Sequence, residues 1–269
     1  MIAELKEKAR EIRRDIINMC YQAQGAAHPG GALSAADVVA ALYFKAMSLS
    51  DDPHWPDRDR LVLSKGHTAP VLYAALCQRG YFPTAWYPGL RGLGSRLQGH
   101  PDMQKTPGVD MTSGSLGNGL AVGAGMALGL KMDERPSFVY VILGDGEVQE
   151  GLVWEAAFYS GNAGLDNLVA IVDINGLQSC GKTTVISDPE PLDEKFRAFG
   201  WESRRIDGNR MEEVVSALEW AKKKEGKPKA ILAHTVKGKG ISFMEGNNSW
   251  HQRKLSEAEY RAALAELLC

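Results

Sequence analysis

The sequence has few cysteines, no excess of charge of either sign and no long hydrophobic run. Its 4 cysteines among 269 residues include no C-x-x-C spacing, which argues against a zinc cage and against a dense disulfide framework. The 31 basic and 33 acidic residues give a formal charge of −2, whereas proteins that bind nucleic acid or membrane surfaces carry a basic excess. The longest apolar run, Leu120 to Leu130, is too short to span a bilayer. These features predict a protein that binds neither nucleic acid nor membranes.

The first residues also lack the features of a targeting peptide. Acidic side chains at Glu4, Glu7, Glu11 and Asp15 alternate with basic ones, which disfavours both signal and transit peptides. Of all residues, 44% are hydrophobic and 24% charged, as in ordinary globular proteins. Because no repeat or internal linker interrupts the chain, we expect a single domain over residues 1–269. The lack of targeting features and of a disulfide framework predicts a location in the cytoplasm.

Strand-like and helix-like segments alternate along the chain. The apolar runs Phe138 to Leu143 and Leu168 to Ile174 are typical of strands covered on both faces. Segments with helical spacing lie between and around such runs, which predicts an α/β fold with a mostly parallel sheet and helices on both faces. Three finer predictions are a capping box formed by Ser34 and Asp37, a buried core position for His234, and a Gly/Ala-rich helix from Gly114 to Lys131.

Both of these segments end in polar residues. Gly144-Asp145-Gly146 ends the first, and Asp173-Ile174-Asn175-Gly176-Leu177 ends the second. The carboxyl ends of parallel strands are where ligands bind in open α/β sheets. An aspartate, an asparagine amide and a backbone carbonyl are oxygen donors suited to Mg²⁺, whose remaining positions diphosphate oxygens and water would fill. Each motif alone is a common turn, but the two together at strand ends predict a metal–diphosphate site.

These motifs resemble those of a known family. Gly144-Asp145-Gly146 followed by Asn175 resembles the thiamine-diphosphate motif, and the resemblance extends over almost the whole chain to the N-terminal half of transketolases. The other stretches that carry it are His28-Pro29-Gly30-Gly31, Leu63-Ser64-Lys65-Gly66-His67, Gly99-His100-Pro101, Thr112 to Gly117 and Gly144 to Gly151. A full transketolase is much longer, so the chain resembles the N-terminal subunit of a split transketolase.

The resemblance implies a role for each matched residue. The implied metal ligands are Asp145, Asn175 and the Leu177 carbonyl, for Mg²⁺ or for another divalent cation such as Ca²⁺ or Mn²⁺. The implied contacts to thiamine diphosphate are His67, Gly114, Ser115, Leu116, Gly146, Glu150, Asn175 and His251. The implied catalytic residues, which face the thiazolium and hold substrate hydroxyls, are His28, His100 and His251. Glu150 and Glu155 match carboxylates that family members have at the interface between paired active sites.

The resemblance also implies a partner and a reaction. A separate C-terminal transketolase subunit would supply the pyrimidine side of the cofactor pocket, in an α2β2 heterotetramer. The complex would transfer a two-carbon ketol unit between sugars or sugar phosphates, with the cofactor performing the chemistry.

Other functions remain open at this point. They are an α subunit of a 2-oxo-acid dehydrogenase, a relative of 1-deoxyxylulose-5-phosphate synthase, and a non-catalytic cofactor-binding assembly subunit. The motifs around His28 and His100 disfavour the first. The sequence departs from the transketolase pattern at Gln252, which follows His251 in place of a glycine, and at Cys180, which replaces an acidic residue.

Overall fold

A parallel five-stranded sheet forms the centre of the computed structural model, which describes residues 1–268. The order of its strands is β1-β2-β3-β7-β6, and every neighbouring pair is parallel. In chain order the strands are β1 (Arg60–Leu63), β2 (Val139–Gly144), β3 (Leu168–Ile174), β6 (Glu202–Asp207) and β7 (Lys229–His234). A separate antiparallel pair, β4 (Leu177–Gln178) and β5 (Gly181–Lys182), follows the end of β3.

Helices connect the strands and cover the sheet. They are α1 (Ile2–Gln22), α2 (Pro29–Ser34), α3 (Ala36–Ala41), α4 (Ala69–Gln78), α5 (Asn118–Met132), α6 (Gly151–Asn162), α7 (Thr183–Ile186), α8 (Leu192–Ala198), α9 (Met211–Ala221) and α10 (Glu257–Glu266). A π-helical turn at Leu42–Ala46 extends α3, and short 3-10 turns lie at Gly66–Thr68, Thr84–Gly89, Glu147–Gln149 and Asn248–Trp250. No helix within residues 1–268 has the length and apolar character needed to cross a membrane.

Successive side chains along each strand point to opposite faces of the sheet, which divides the core into two layers. In β2, Tyr140 and Ile142 face the layer formed with α1, α3, α4 and α9, while Val139, Val141 and Leu143 face the layer formed with α5, α6 and α8. All five of these side chains are buried, as expected for a strand covered on both faces. The predicted α/β class and parallel sheet are therefore confirmed.

The register aligns the carboxyl ends of the three central strands. Gly144 at the end of β2 pairs with Asp173, and Ile174 at the end of β3 pairs with His234. The loops after β2, β3 and β7 therefore begin side by side. This alignment brings residues that are distant in sequence to one edge of the sheet.

Two of the finer predictions are wrong. Ser34 is the last residue of α2 and caps no helix, because its hydroxyl is buried, donates to the Asp173 carboxylate at 2.6 Å and lies 3.0 Å from the Gly31 carbonyl oxygen. His234 is exposed at the end of β7, with its Nε2 atom 3.2 Å from the Arg205 guanidinium. Strand β7 ends there, so this side chain emerges from the sheet and does not enter the core.

Candidate active site

A cavity of about 360 Å³ opens at the carboxyl edge of the sheet, beyond β2 and β3. Such a volume is within the range of small-molecule sites. Its lining residues are His28, Gly31, Lys65, His67, His100, Gly114, Leu116, Gly144, Asp145, Gly146, Glu147, Gln149, Glu150, Asn175, Leu177, Gln178, Ser179, Lys237 and His251. All the predicted site residues except Ser115 and Glu155 therefore meet in one cavity.

The predicted metal ligands are held by backbone hydrogen bonds. The Asp145 carboxylate accepts from the N–H of Gly146 at 2.9 Å and from the N–H of Gly176 at 2.6 Å. The Asn175 side-chain oxygen accepts from the N–H of Leu177 at 3.1 Å. Burial and the nearby Asp173 raise the pKa of Asp145 to about 6. Positive charge at this position would reverse that shift, because it favours the ionised carboxylate.

A lysine that the sequence analysis missed occupies the same region. The Lys237 ammonium donates to the Leu177 carbonyl at 3.1 Å and to the Asn248 side-chain oxygen at 2.9 Å. Its Nζ atom also lies 3.0 Å from Nδ1 of His251, which must accept because an ammonium has no lone pair. Burial lowers the pKa of Lys237 to about 8. A cationic group therefore already contacts one of the predicted metal ligands.

Three histidines from three different segments pack against one another. The ring centroids of His28 and His67 are 5.2 Å apart, and His251 lies 5.4 Å from each of them. The Nδ1 atom of His28 is buried without a hydrogen-bond partner. Buried polar atoms are normally paired, so an unpaired one that lines a cavity is available to a ligand.

Burial keeps these histidines neutral near pH 7. It lowers the pKa of His28 to about 3, with His251 adding to the effect, and the pKa of His251 to about 4, with Lys237 adding to it. The pKa of His67 is also lowered, by burial and then by Lys65. Neutral imidazoles can both donate and accept hydrogen bonds, which suits recognition of hydroxyl groups.

The remaining predicted residues lie at the rim of the cavity or outside it. The exposed His100 faces Gly114, whose added Cβ would be 3.6 Å from the His100 ring. Ser115 is exposed and does not line the cavity, and Leu116 is 37% exposed beside it. Glu150 lines the cavity, whereas Glu155 is exposed on α6. Gly114 to Gly117 precede α5 as a loop, although the sequence analysis assigned them to that helix.

Two further charged residues near the site were also missed. Lys65 is buried and forms an ion pair with Asp173 while donating to the Gly31 carbonyl at 3.0 Å. Glu147 is buried beside Gly144. Lys65 lies in the Ser64-Lys65-Gly66-His67 stretch, and Lys237 follows β7, which neighbours β3. Applying the strand-end criterion to β1 and β7 would have found both lysines.

The donor set fits a phosphorylated cofactor held through a cation. Within the described part of the chain, no three His, Cys, Asp or Glu residues come close enough to hold a metal alone. Asp145, Asn175 and the Leu177 carbonyl therefore need oxygens from the ligand itself, which a diphosphate supplies. Gly146 has no side chain, and an added Cβ would come within 2.8 Å of the Gln178 Cβ. A larger residue there would narrow the cavity beside Asp145.

The comparisons with known proteins agree with this geometry. A family model described as "Transketolase, thiamine diphosphate binding domain" matches residues 5–267. The chain belongs to the transketolase family. It is 51% identical over 246 residues to the 6-deoxy-6-sulfo-D-fructose transketolase subunit SqwG of Clostridium sp. (strain MSTE9), which covers 90% of this chain and 89% of the relative.

Other transketolases define how much of the family fold this chain contains. One subunit of the apulose-4-phosphate transketolase of Actinobacillus succinogenes is 41% identical over 267 residues, covering 98% of this chain and 96% of the relative. The transketolase structure from Campylobacter jejuni superposes with a TM-score of 0.91 at 31% identity, covering 98% of this chain but 43% of that chain. The chain thus spans less than half of a single-chain transketolase and nearly all of the separate subunits. The family, the fold and the role as one subunit of a transketolase are confirmed.

Proposed function

We propose that this chain supplies the diphosphate- and metal-binding half of a two-chain transketolase. The observation that carries the proposal is the cavity in which Asp145, Asn175 and Leu177 lie beside three packed neutral histidines. One part of the cavity offers oxygen donors for a cation, and the other offers hydrogen-bonding groups for a polyhydroxylated substrate. Thiamine diphosphate, when bound, supplies the nucleophilic carbon and the electron sink for transfer of a two-carbon ketol unit.

The residues of this chain then divide between cofactor and substrate. We propose that Asp145, Asn175 and the Leu177 carbonyl hold Mg²⁺, or Ca²⁺ or Mn²⁺, against the diphosphate, with Gly146 and His67 at the phosphates. Lys237 adds positive charge beside them. Gly114, Ser115 and Leu116 offer backbone groups near the aminopyrimidine, and Glu150 lies next to this stretch, since a Cβ on Gly117 would be 2.9 Å from the Glu150 Cβ.

His28, His100 and His251 are assigned to the substrate. His28 offers its unpaired buried Nδ1 to a substrate hydroxyl. Lys237 occupies Nδ1 of His251, which leaves the Nε2–H of that ring as a donor. His100, at the rim, completes the contacts to the hydroxyls of the sugar.

The outer surface of α5 and α6 has features that support the proposal of a partner chain. Val122 is 38% and Phe158 62% exposed there, and Gly125 and Gly129 have no neighbour within 4 Å of an added Cβ. An exposed glycine within a helix costs about 1 kcal/mol relative to alanine. Close approach of another helix would account for both the glycines and the apolar side chains.

We propose that the partner is the C-terminal transketolase subunit, in an α2β2 assembly with Glu150 and Glu155 near the interface. We further propose that the complex works in the cytoplasm, where free thiols such as those of Cys20, Cys77 and Cys180 persist. The relatives named above make 6-deoxy-6-sulfo-D-fructose and apulose 4-phosphate the first donors to assay, alongside ketose phosphates of central metabolism.

Reconstitution tests this function. The chain and the product of a candidate partner gene are purified separately, then assayed for ketol transfer alone and mixed, with thiamine diphosphate and Mg²⁺. We expect activity only in the mixture, because this chain contains one side of the cofactor pocket. Turnover by this chain alone would contradict the two-chain proposal, and a mixture that binds cofactor without turnover would favour the non-catalytic alternative.

A further inference from the structure

The carboxylate of Glu147 lies between three segments of the site. Its Oε1 atom accepts from the Ser64 hydroxyl at 2.5 Å and from the Gly117 N–H at 2.9 Å. Its Oε2 atom accepts from the Gly144 N–H at 3.0 Å. The residue is only 3% exposed, so water contributes little to satisfying these three donors. One side chain therefore joins the loop after β1, the loop before α5 and the end of β2.

Each of these donors adjoins residues assigned to the cofactor. Ser64 precedes the loop with His67, Gly117 follows Leu116, and Gly144 precedes Asp145. The same segments are in close contact elsewhere, since a Cβ on Gly66 would come within 3.1 Å of the Ser113 Cβ, and a Cβ on Gly119 would overlap Ser64. These contacts keep the segments close together, and the carboxylate hydrogen-bonds one donor from each.

We propose that Glu147 is a positioning residue that sets the relative placement of the three cofactor-binding loops. The cofactor part of this proposal rests on the proposed function, whereas the joining of the loops does not. Both oxygens of Glu147 are already occupied by protein donors, so it acts through the backbone of its neighbours and not on the reacting atoms. A glutamine cannot replace it, because one of its two termini is an NH₂ group that would oppose a backbone N–H.

Asp59 provides a matched control. It is also buried, at 2% exposure, and its carboxylate accepts from the backbone N–H groups of Ser48 at 2.8 Å and Phe138 at 2.7 Å. It precedes β1 and lies at the opposite end of the sheet from the cavity. Asp59→Asn therefore makes a comparable buried change without touching the loops of the site.

The first measurement is amide hydrogen exchange of the chain without cofactor. In Glu147→Gln we expect exchange of the segments around 113–118 and 143–147 to increase about tenfold or more, because a buried donor loses its acceptor. Asp59→Asn should leave these segments at the wild-type rate. Should Glu147→Gln fail to fold, Ser64→Ala removes a single donor and should accelerate the same segments to a smaller extent.

The second measurement is calorimetric titration of thiamine diphosphate with Mg²⁺ into the complex of each variant with the partner subunit. We expect Kd to rise about tenfold or more for Glu147→Gln and to stay at the wild-type value for Asp59→Asn. Wild-type exchange in both loops, or wild-type cofactor affinity of Glu147→Gln, would overturn the positioning role. Absence of cofactor binding by the wild-type complex would instead overturn the proposed function.

Discussion

At the residue scale, backbone hydrogen bonds hold the Asp145 carboxylate, which we propose as a cation ligand, in a fixed position. Two N–H groups, from Gly146 and Gly176, fix both of its oxygens at the junction of two loops. The sequence predicted Asp145 from its position after a buried strand. Lys237 was missed because the strand-end criterion was applied only to β2 and β3, whereas this ammonium follows β7 and reaches Leu177 from a loop 60 residues away along the chain.

Removal of this carboxylate should abolish cofactor binding. Asp145→Ala takes away the only charged side chain proposed as a ligand of the cation, and we expect calorimetry with thiamine diphosphate and Mg²⁺ to find binding by the reconstituted complex largely lost. Asp166→Ala is the control, since Asp166 pairs with Lys131 on the surface at 2.6 Å, before the start of β3. An unchanged affinity of the Asp145 variant would remove this residue from the metal site.

His100 allows substrate recognition to be separated from cofactor binding. Its ring is exposed at the rim, while its backbone carbonyl accepts from the Tyr73 hydroxyl at 3.3 Å, a contact that alanine retains. His100→Ala should lower kcat/KM by ~10²-fold or more and leave the Kd for thiamine diphosphate nearly unchanged. The exposed His54 provides the control, as His54→Ala should change neither quantity. A parallel fall of Tm and activity would instead make His100 a support of its loop.

At the scale of elements, the strands were easier to predict than the ends of helices. The segment Leu168 to Ile174 coincides with β3, because burial on both faces leaves no polar residue in the strand before Asp173, next to its end. The Gly/Ala-rich segment from Gly114 was predicted as one helix, but Gly117 has φ +83°, a left-handed value that starts α5 only after it. Composition favours helix throughout, whereas the hydrogen bond from Gly117 to Glu147, thirty residues away, depends on the tertiary structure.

At this scale, we predict that the exposed face of α5 contacts the partner subunit. Val122→Glu introduces a charge where Val122 is 38% exposed, so the chain should keep its fold and Tm. Burying an unpaired charge against an apolar partner is costly, and we expect association with the partner subunit to weaken roughly tenfold or more. Ser216→Glu adds the same charge at an exposed position of α9, on the other face of the sheet, and should have no effect. Unchanged association of the α5 variant, measured by analytical ultracentrifugation, would exclude this face from the interface.

At the scale of the whole molecule, the loops at the carboxyl edge of the sheet form a cavity that we propose as one side of the cofactor pocket. The lining of the cavity comes from loops after β1, β2, β3 and β7, together with the start of α2 and the loop before α5. In our proposal, the metal-binding residues belong to this chain and the residues for the pyrimidine side belong to the partner. Cofactor binding and association of the two chains should then share part of their free energy.

This shared free energy can be measured from both directions. If the partner raises the affinity for thiamine diphosphate by a given factor, thermodynamic linkage requires the cofactor to raise the affinity for the partner by the same factor, roughly 5- to 150-fold for typical couplings. We would titrate cofactor with Mg²⁺ into the chain with and without partner, and titrate partner with and without cofactor. Asp145→Ala should still associate with the partner but show no response to the cofactor. A cofactor affinity that is identical with and without partner would mean that this chain contains the whole cofactor site.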